Sequence, residues 1–112
     1  MHRRYRLTRR EDFERLRREG RGFPHRAMRM SIAPNPLEHN RYGFVVSKKV
    51  GNAVVRNRTK RVIREATRAL HPQLRTGSDI VVIARVAIVG QPYGDVLRIL
   101  SELFRKAGLL ES

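Results

Sequence analysis

The stretch SKKVGNAVVRNRTKRVIREA, residues 47–66, combines dense positive charge with apolar residues at regular intervals. After Gly51 and Asn52 the apolar spacing is that of an α-helix, whose successive side chains are about 100° apart around the axis. One sector of this helix collects the side chains that can pack against a core: Val55, Thr59, Val62, Ile63, Ala66 and Leu70. We therefore predict an amphipathic helix that docks on the rest of the protein through this sector.

The opposite sector of the predicted helix is basic or polar throughout. Glu65 is the only acidic residue between Lys48 and Arg68. Many helices carry arginine on their solvated side, but a concentrated basic stripe with so little acid is typical of a surface that contacts phosphates. The sector consists of Arg56, Asn57, Lys60, Arg61, Arg64 and Arg68.

Alternating or continuous apolar runs on both sides of this helix predict β-strands. Residues 27–33 alternate methionine and isoleucine with polar side chains, which is the period of a half-buried strand. Residues 34–40 contain two prolines and two asparagines and predict a turn, after which a second strand is expected over residues 42–47. The β-branched run SDIVVIARVA, residues 78–87, predicts a third strand that is buried on both faces or nearly so.

Two further helices are predicted near the ends of the sequence. Thr8 and Glu11 have the spacing of a capping box for a helix over residues 9–19, and Gly20 is placed for a left-handed C-terminal cap. A last helix over residues 92–106 collects its apolar residues on one face. The order helix, strand, strand, helix, strand, helix predicts an α+β fold, a small sheet packed against about three helices. The 112 residues suffice for a single domain, residues 1–112.

The net charge of +15 indicates a polyanionic partner. Of the 25 lysines and arginines, 21 are arginine, whose planar fork of donors grips phosphate and stacks on bases. The sequence has neither a long apolar span nor an amphipathic helix with bulky apolar anchors, so nucleic acid is favoured over a membrane. The chain lacks cysteine and an N-terminal secretory pattern, so we expect a cytoplasmic protein without disulfides.

No group of side chains has the spacing of a catalytic or metal site. The four histidines are scattered, and the acidic residues Glu11, Asp12 and Glu14 are expected in the first turn of a helix because of its dipole. Gly51 and Asn52 do not belong to a glycine-rich phosphate loop. We therefore predict no protein active site, no protein-bound metal and no small-molecule substrate.

The stretch KKVGNAVVRNRTKRVIRE, residues 48–65, resembles the protein subunit of bacterial ribonuclease P. The Arg-Asn-Arg signature of that family is carried here by residues 56–58. The resemblance extends to RLTRREDFERLRREG (residues 6–20), DIVVIAR (residues 79–85) and LFRKAGLL (residues 103–110), and so covers nearly the whole chain.

The resemblance implies a ribonucleoprotein that removes the 5′ leader from precursor transfer RNA. The partners would be the RNA subunit and the precursor, and the chemistry would be performed by magnesium ions held mainly by the RNA. The implied fold is a two-layer α/β sandwich with a mixed sheet, in which the motif helix forms a left-handed crossover between parallel strands. The general rule for such crossovers is the opposite hand.

The resemblance also implies two binding surfaces. A cleft between the first helix and the sheet would hold the leader through Phe13, Arg17, Arg29 and Ser31. Relatives often carry aromatics where Arg17 and Ser31 stand, so the arginines would grip leader phosphates. The motif helix and its preceding loop would bind the RNA subunit through Lys48, Lys49, Asn52, Arg56, Asn57, Arg58, Lys60, Arg61, Arg64 and Arg68.

Several alternatives stay open. From its position on a charged helix, Phe13 is either a core anchor or a platform for an unpaired base. The main rival function is a structural or ribosomal RNA-binding protein with no role in catalysis. A helix-turn-helix DNA-binding protein and a self-sufficient nuclease rank below it, because neither a short helix pair nor a catalytic cluster is present in the pattern.

Overall fold

The computed structural model describes residues 2–111, which form three helices and four strands. The helices are α1 (Arg10–Glu19), α2 (Ala53–Leu70) and α3 (Tyr93–Lys106). The strands are β1 (Arg21–Pro24), β2 (Met28–Pro34), β3 (Arg41–Val45) and β4 (Ser78–Ala84). Within the described residues no helix is long and apolar enough to cross a membrane. The six predicted elements are confirmed, and β1 is an addition.

The four strands form one mixed sheet in the order β1-β2-β4-β3. Strand β2 pairs antiparallel with β1 and β4, whereas β3 pairs parallel with β4. A parallel pair needs a crossover connection, which here contains α2. The mixed sheet and the three helices confirm the predicted fold class. The left-handed sense of the crossover stays a prediction.

The main core lies between one face of the sheet and the helices α2 and α3. Met30 of β2 and Val82 of β4 are paired across the strands and have no exposed surface. Ile63 of α2 and Phe104 of α3 pack in the same cluster and are equally buried. Burying one such side chain stabilises the fold by about 1.5 to 3 kcal/mol. The apolar sector of α2 therefore docks the helix, as predicted.

Helix α1 covers part of the other face of the sheet through a much smaller apolar cluster. Leu16, with 1 % of its surface exposed, packs there with Leu7, Ala33 and Val81. Phe13 is partly buried against this cluster. Because so few apolar side chains hold α1, polar contacts must contribute to its placement.

The predicted bounds of α1, residues 9–19, agree with the structure to within one residue, but both predicted caps were wrong. The helix starts one residue later than the box formed by Thr8 and Glu11 requires, so Arg9 is the N-cap and no side chain caps it. Gly20 has φ −70° and ψ 147°, which is extended and not left-handed. A glycine is nevertheless required there, because a Cβ atom would lie 2.4 Å from the carbonyl oxygen of Leu16.

Two strand boundaries also differ from expectation. Strand β1 was missed because Phe23 is its only large apolar residue and Pro24 ends it, a composition suited to a short edge strand. Strand β4 ends at Ala84, three residues before the predicted end, because residues 86–88 turn into a 3₁₀ helix.

Tyr42 and His71 connect β3 to the C-terminal end of α2. The phenol oxygen of Tyr42 lies 2.7 Å from Nδ1 of His71, and the ring of Tyr5 packs on the same imidazole at 4.6 Å between centroids. Burial, followed by the nearby His39, lowers the pKa of His71. Burial also raises the pKa of Tyr42 to about 12. Both groups are therefore held in their neutral forms.

We expect the protein to lose stability in mild acid. Because the pKa of His71 is lowered in the folded state, the unfolded chain binds more protons below the ordinary value of 6.5. The stabilising contribution is present above that pH and decreases as the pH falls. Thermal melting between about pH 8 and pH 5 should show the loss. His71→Gln should flatten the profile. An identical profile for His71→Gln would contradict the assignment.

Candidate nucleic-acid interface

The loop before α2 places positive charge at the start of the helix. Lys48 and Lys49 lie in a single 3₁₀ turn and are exposed. Asn52 is the N-cap of α2, and its Oδ1 accepts a hydrogen bond from the backbone N–H of Val55 at 3.0 Å. The lysines therefore reinforce the positive end of the helix dipole. Asn52, predicted as an RNA ligand, is already used to start the helix.

The basic face of α2 has an exposed row and a half-buried row. The exposed row consists of Asn57, Arg61 and Arg68, and Arg58 is exposed at the side of the helix, outside the basic sector. The half-buried row consists of Arg56, Lys60 and Arg64. Arg68 is partly neutralised, because its guanidinium lies 3.8 Å from the carboxylate of Glu65. The strongest uncompensated charge is therefore in the N-terminal and central turns of the helix.

A cleft of about 370 Å³ opens at the edge of β3, between the half-buried row of α2 and the segment before α1. We call it the β3 cleft. Three cations and two phenylalanines line it, and no acidic side chain does. Its lining residues are Arg6, Leu7, Thr8, Phe13, Tyr42, Gly43, Phe44, Lys60 and Arg64. Cations beside aromatic rings are the combination that binds a nucleotide through both its phosphate and its base.

The cations of the β3 cleft lack partners for their charge. Burial, followed by the nearby Arg6, lowers the pKa of Arg64. Within residues 2–111, the buried Nε atoms of Arg56 and Arg64 have no hydrogen-bond acceptor. A buried donor without an acceptor costs about 1 to 3 kcal/mol. Arg56 does not line the cleft. An anionic ligand in the cleft would offset the repulsion between Arg6 and Arg64 and would supply the acceptor that Arg64 lacks.

Phe13 connects the apolar cluster under α1 with the β3 cleft. Its ring lies directly against β3, where a Cβ atom at Gly43 would come within 2.6 Å of the ring. The side chain is only half-buried, and it also lines the cleft. The two alternatives for Phe13 are therefore combined in one side chain, which packs on the cluster and presents a surface to the cleft.

The other side chains predicted to bind the leader lie outside the β3 cleft. Arg17 is exposed on α1. Arg29 and Ser31 are half-buried on β2, on the sheet face that α1 partly covers. Arg29 extends over β1, where a Cβ atom at Gly22 would lie 2.1 Å from Nη2 of the arginine. The structure thus brings Phe13 beside α2 and leaves the other three further along the sheet.

Among the lining residues that sequence reasoning missed are one cation, Arg6, and one aromatic side chain, Phe44. Arg6 is held there by an isolated β-bridge to Tyr42, and the backbone N–H of Leu7 donates to the carbonyl of Tyr42 at 2.8 Å. The buried Leu7 is the signal that could have placed Arg6, since an apolar residue before a charged helix needs a core partner. Phe44 faces α2, and the guanidinium carbon of Arg64 lies 6.0 Å from its ring centroid.

Several carboxylates of the described residues are paired with arginines, and Asp79 makes the closest contacts. Asp79 is fully buried and accepts hydrogen bonds from Arg15 and Arg41. Within residues 2–111, no three histidine, aspartate or glutamate side chains lie close enough to hold a metal ion. These side chains do not fit a protein-bound catalytic metal. The absence of a protein active site stays a prediction.

Comparison with known proteins identifies the family. The family model described as Ribonuclease P matches residues 1–108. The chain belongs to the ribonuclease P protein family. The ribonuclease P protein component of Roseiflexus castenholzii is 38 % identical over 112 residues, covering 99 % of this chain and 92 % of the relative. That of Chloroflexus aurantiacus is 42 % identical, covering 98 % and 82 %. A solved structure of the Staphylococcus aureus RNase P protein superimposes with a TM-score of 0.87 at 31 % identity, covering 96 % and 98 %.

This membership confirms the resemblance that residues 48–65 carry, and it applies to almost the whole chain. The family consists of RNA-binding subunits of an endoribonuclease that matures the 5′ ends of transfer RNAs, and this chain is such a subunit. Both the family model and the relatives include the α1 segment as well as the motif helix. The β3 cleft is therefore formed by two segments that the family match spans together.

Proposed function

We propose that the basic face of α2 binds the RNA subunit of ribonuclease P and that the β3 cleft receives the 5′ leader of precursor transfer RNA. The observation that carries this proposal is the position of Lys60 and Arg64. Both belong to the basic face of α2, and both line the cleft beside Phe13. One helix would then contact the RNA subunit and the leader at once. The cytoplasm is the compartment we propose for this complex.

The chemistry of the cleft fits a single strand better than a duplex. The cations Arg6, Lys60 and Arg64 would neutralise leader phosphates, and the ring of Phe13 would stack on an unpaired base. A duplex keeps its bases paired inside the helix and cannot offer one to the ring. Arg17, Arg29 and Ser31 would contact leader nucleotides beyond the cleft, along the sheet face next to α1.

In this proposal the magnesium ions are bound mainly by the RNA subunit. Hydrolysis of a phosphodiester is assisted by metal ions that stabilise the attacking and leaving oxygens. The buried carboxylate of Asp79 is bonded to Arg15 and Arg41, and no three histidine or acidic side chains of the described residues lie close enough together for that role. The residues of this chain would instead bind and orient the leader and screen the charge between the two RNAs.

Reconstitution of cleavage tests the proposed function. The purified protein, the RNA subunit and their mixture are each incubated with precursor transfer RNA at low magnesium concentration. We expect the mixture to remove the leader efficiently, because the cations of α2 and the cleft replace part of the screening that magnesium otherwise supplies. We expect the protein alone to cleave nothing.

Each other result points to a different function. If the protein binds the RNA subunit but leaves the cleavage rate unchanged, it is a structural RNA-binding protein. If the protein alone cleaves the precursor and Asp12→Asn abolishes that activity, it is a nuclease in its own right. Either outcome would overturn the proposal.

A further inference from the structure

Asp79, at the start of β4, is the centre of a buried polar cluster. Its carboxylate has no exposed surface and accepts two hydrogen bonds from Arg41 of β3, at 2.9 Å and 2.8 Å. It also accepts from Nδ2 of Asn35 at 2.9 Å and from Arg15 of α1. Arg41 in turn lies 3.7 Å from Asp12 of α1. We call these five residues the Asp79 cluster.

The Asp79 cluster ties α1 to the sheet at two points. Arg15 reaches Asp79 directly, and Asp12 reaches it through Arg41. Asp12 immediately precedes Phe13, and Arg41 lies two residues before Gly43 on the same face of β3. The two charged contacts therefore adjoin the place where the Phe13 ring meets the strand.

The cluster is better suited to fixing geometry than to adding stability. Removing charges from water costs about as much as their attraction returns, so an apolar replacement would serve stability equally well. A planar guanidinium that donates to two acceptors does, however, impose a definite direction and distance. Arg15 of α1 donates both to Asp79 of β4 and, at 3.3 Å, to the carbonyl of Pro34 of β2. Since only a small apolar cluster holds α1, this direction determines how the helix lies on the sheet.

The contact between Phe13 and Gly43 has little tolerance for movement of α1. The ring lies so close to the strand that even a methyl group at Gly43 has no room. A small shift of the helix would therefore move the ring relative to Lys60 and Arg64 on the other side of the cleft. Close packing of this kind converts a displacement of less than about 1 Å into lost contacts.

We propose that Asp79 is a positioning residue for leader binding, which acts through Arg15 and Arg41 to hold Phe13 in the β3 cleft. The inference rests on the proposed function, because it assigns the positioned side chain to the leader. It adds a role for a buried residue that contacts neither RNA.

The first experiment measures the position of Phe13 in the free protein. Because the ring lies against Gly43, its ring current should displace the Gly43 resonances in nuclear magnetic resonance spectra. Asp79→Asn and Arg15→Lys should both move these resonances. Arg15→Lys keeps the charge but loses the planar fork, and it serves if Asp79→Asn does not fold. The matched control is Glu14→Gln, which breaks the exposed pair between Arg10 and Glu14 on the same helix and should leave Gly43 unchanged.

The second experiment measures binding by the reconstituted holoenzyme. Asp79→Asn and Arg15→Lys should lower affinity for precursor transfer RNA by about 5-fold to 20-fold, in the range of couplings between neighbouring side chains. Affinity for mature transfer RNA and for the RNA subunit should stay at the parent values. In a Phe13→Ala background the effect on precursor affinity should nearly disappear, since no ring is left to position.

The outcomes separate this inference from the proposed function. If the Gly43 resonances do not move, the Asp79 cluster is purely structural. The same conclusion follows if Asp79→Asn lowers precursor affinity by the same factor in the Phe13→Ala background as in the parent. Failure of the parent protein to promote precursor cleavage would instead overturn the proposed function. The resonance measurement would still report whether Asp79 positions Phe13, because it uses the free protein.

Discussion

The double variant Arg58→Ala/Arg61→Ala should bind the RNA subunit about 10-fold to 100-fold more weakly than the parent at low salt. Both side chains are exposed, Arg61 in the basic sector of α2 and Arg58 at its side, so their loss removes phosphate contacts without opening the core. A phosphate that is no longer contacted is not neutralised, so its condensed counterions are not released when the protein binds. The slope of log affinity against log salt should therefore become shallower by about 2. Filter binding or fluorescence titration over a salt series measures both quantities.

A charge-matched control separates position from net charge. Arg105→Ala/Lys106→Ala removes two exposed cations from the last turn of α3 and lowers the net charge by the same amount. This control should keep nearly the parent slope and affinity. Equal losses in the two double variants would mean that only the overall charge attracts RNA. Unchanged melting temperatures are expected for Arg58→Ala/Arg61→Ala, because neither side chain packs in the main cluster.

The amphipathic pattern of α2 was predictable because it is local. The apolar side chains of a helix repeat with its turn, so residues 53–70 indicate both the docked sector and the basic face. The same holds for β2 and β4, whose apolar runs match their buried faces. In each case the pattern of nearby residues in the sequence indicates whether a side chain is buried or exposed.

The β3 cleft was not predictable in the same way, because it depends on contacts between distant segments. Arg6 reaches the cleft only through its bridge to Tyr42, and Arg64 reaches it only because the crossover places α2 beside β3. The spacing of apolar residues along the sequence does not indicate which distant segments pair. The Asp79 cluster was hidden for the same reason, since Asp79 lies 64 positions from Arg15. The family resemblance predicted a leader cleft between the first helix and the sheet. In the structure Phe13 lines the β3 cleft and Arg29 does not.

The geometry also explains why Thr8 does not cap α1. Thr8 and Glu11 have the correct spacing, but the backbone before α1 pairs with the edge of the sheet, where the N–H of Leu7 donates to the carbonyl of Tyr42. Because of this pairing the helix begins after Thr8. The N-terminal segment is therefore positioned by its tertiary partner rather than by local propensity.

Phe13→Ala should weaken binding of precursor transfer RNA by roughly 1 to 3 kcal/mol, the range for losing a stacking platform. Mature transfer RNA has no leader, so its affinity should hardly change. The ring is only half-buried, and its removal should cost less stability than the roughly 3 to 5 kcal/mol of a fully buried phenylalanine. Binding of both RNAs by the holoenzyme, measured beside thermal melting of the free protein, tests the three expectations together.

Leu16→Ala is the matched control for this prediction, since Leu16 belongs to the same helix and the same apolar cluster but does not line the β3 cleft. Its truncation should cost about 2 to 5 kcal/mol of stability. At a temperature where the variant is folded, the intact Asp79 cluster still sets how α1 lies on the sheet, so the variant should retain the preference for precursor over mature transfer RNA. If Phe13→Ala behaves like Leu16→Ala, with a lowered melting temperature and equal effects on the two RNAs, the ring is a core anchor. A leader contact requires the opposite pattern, a selective loss of precursor binding that exceeds the loss of folded protein.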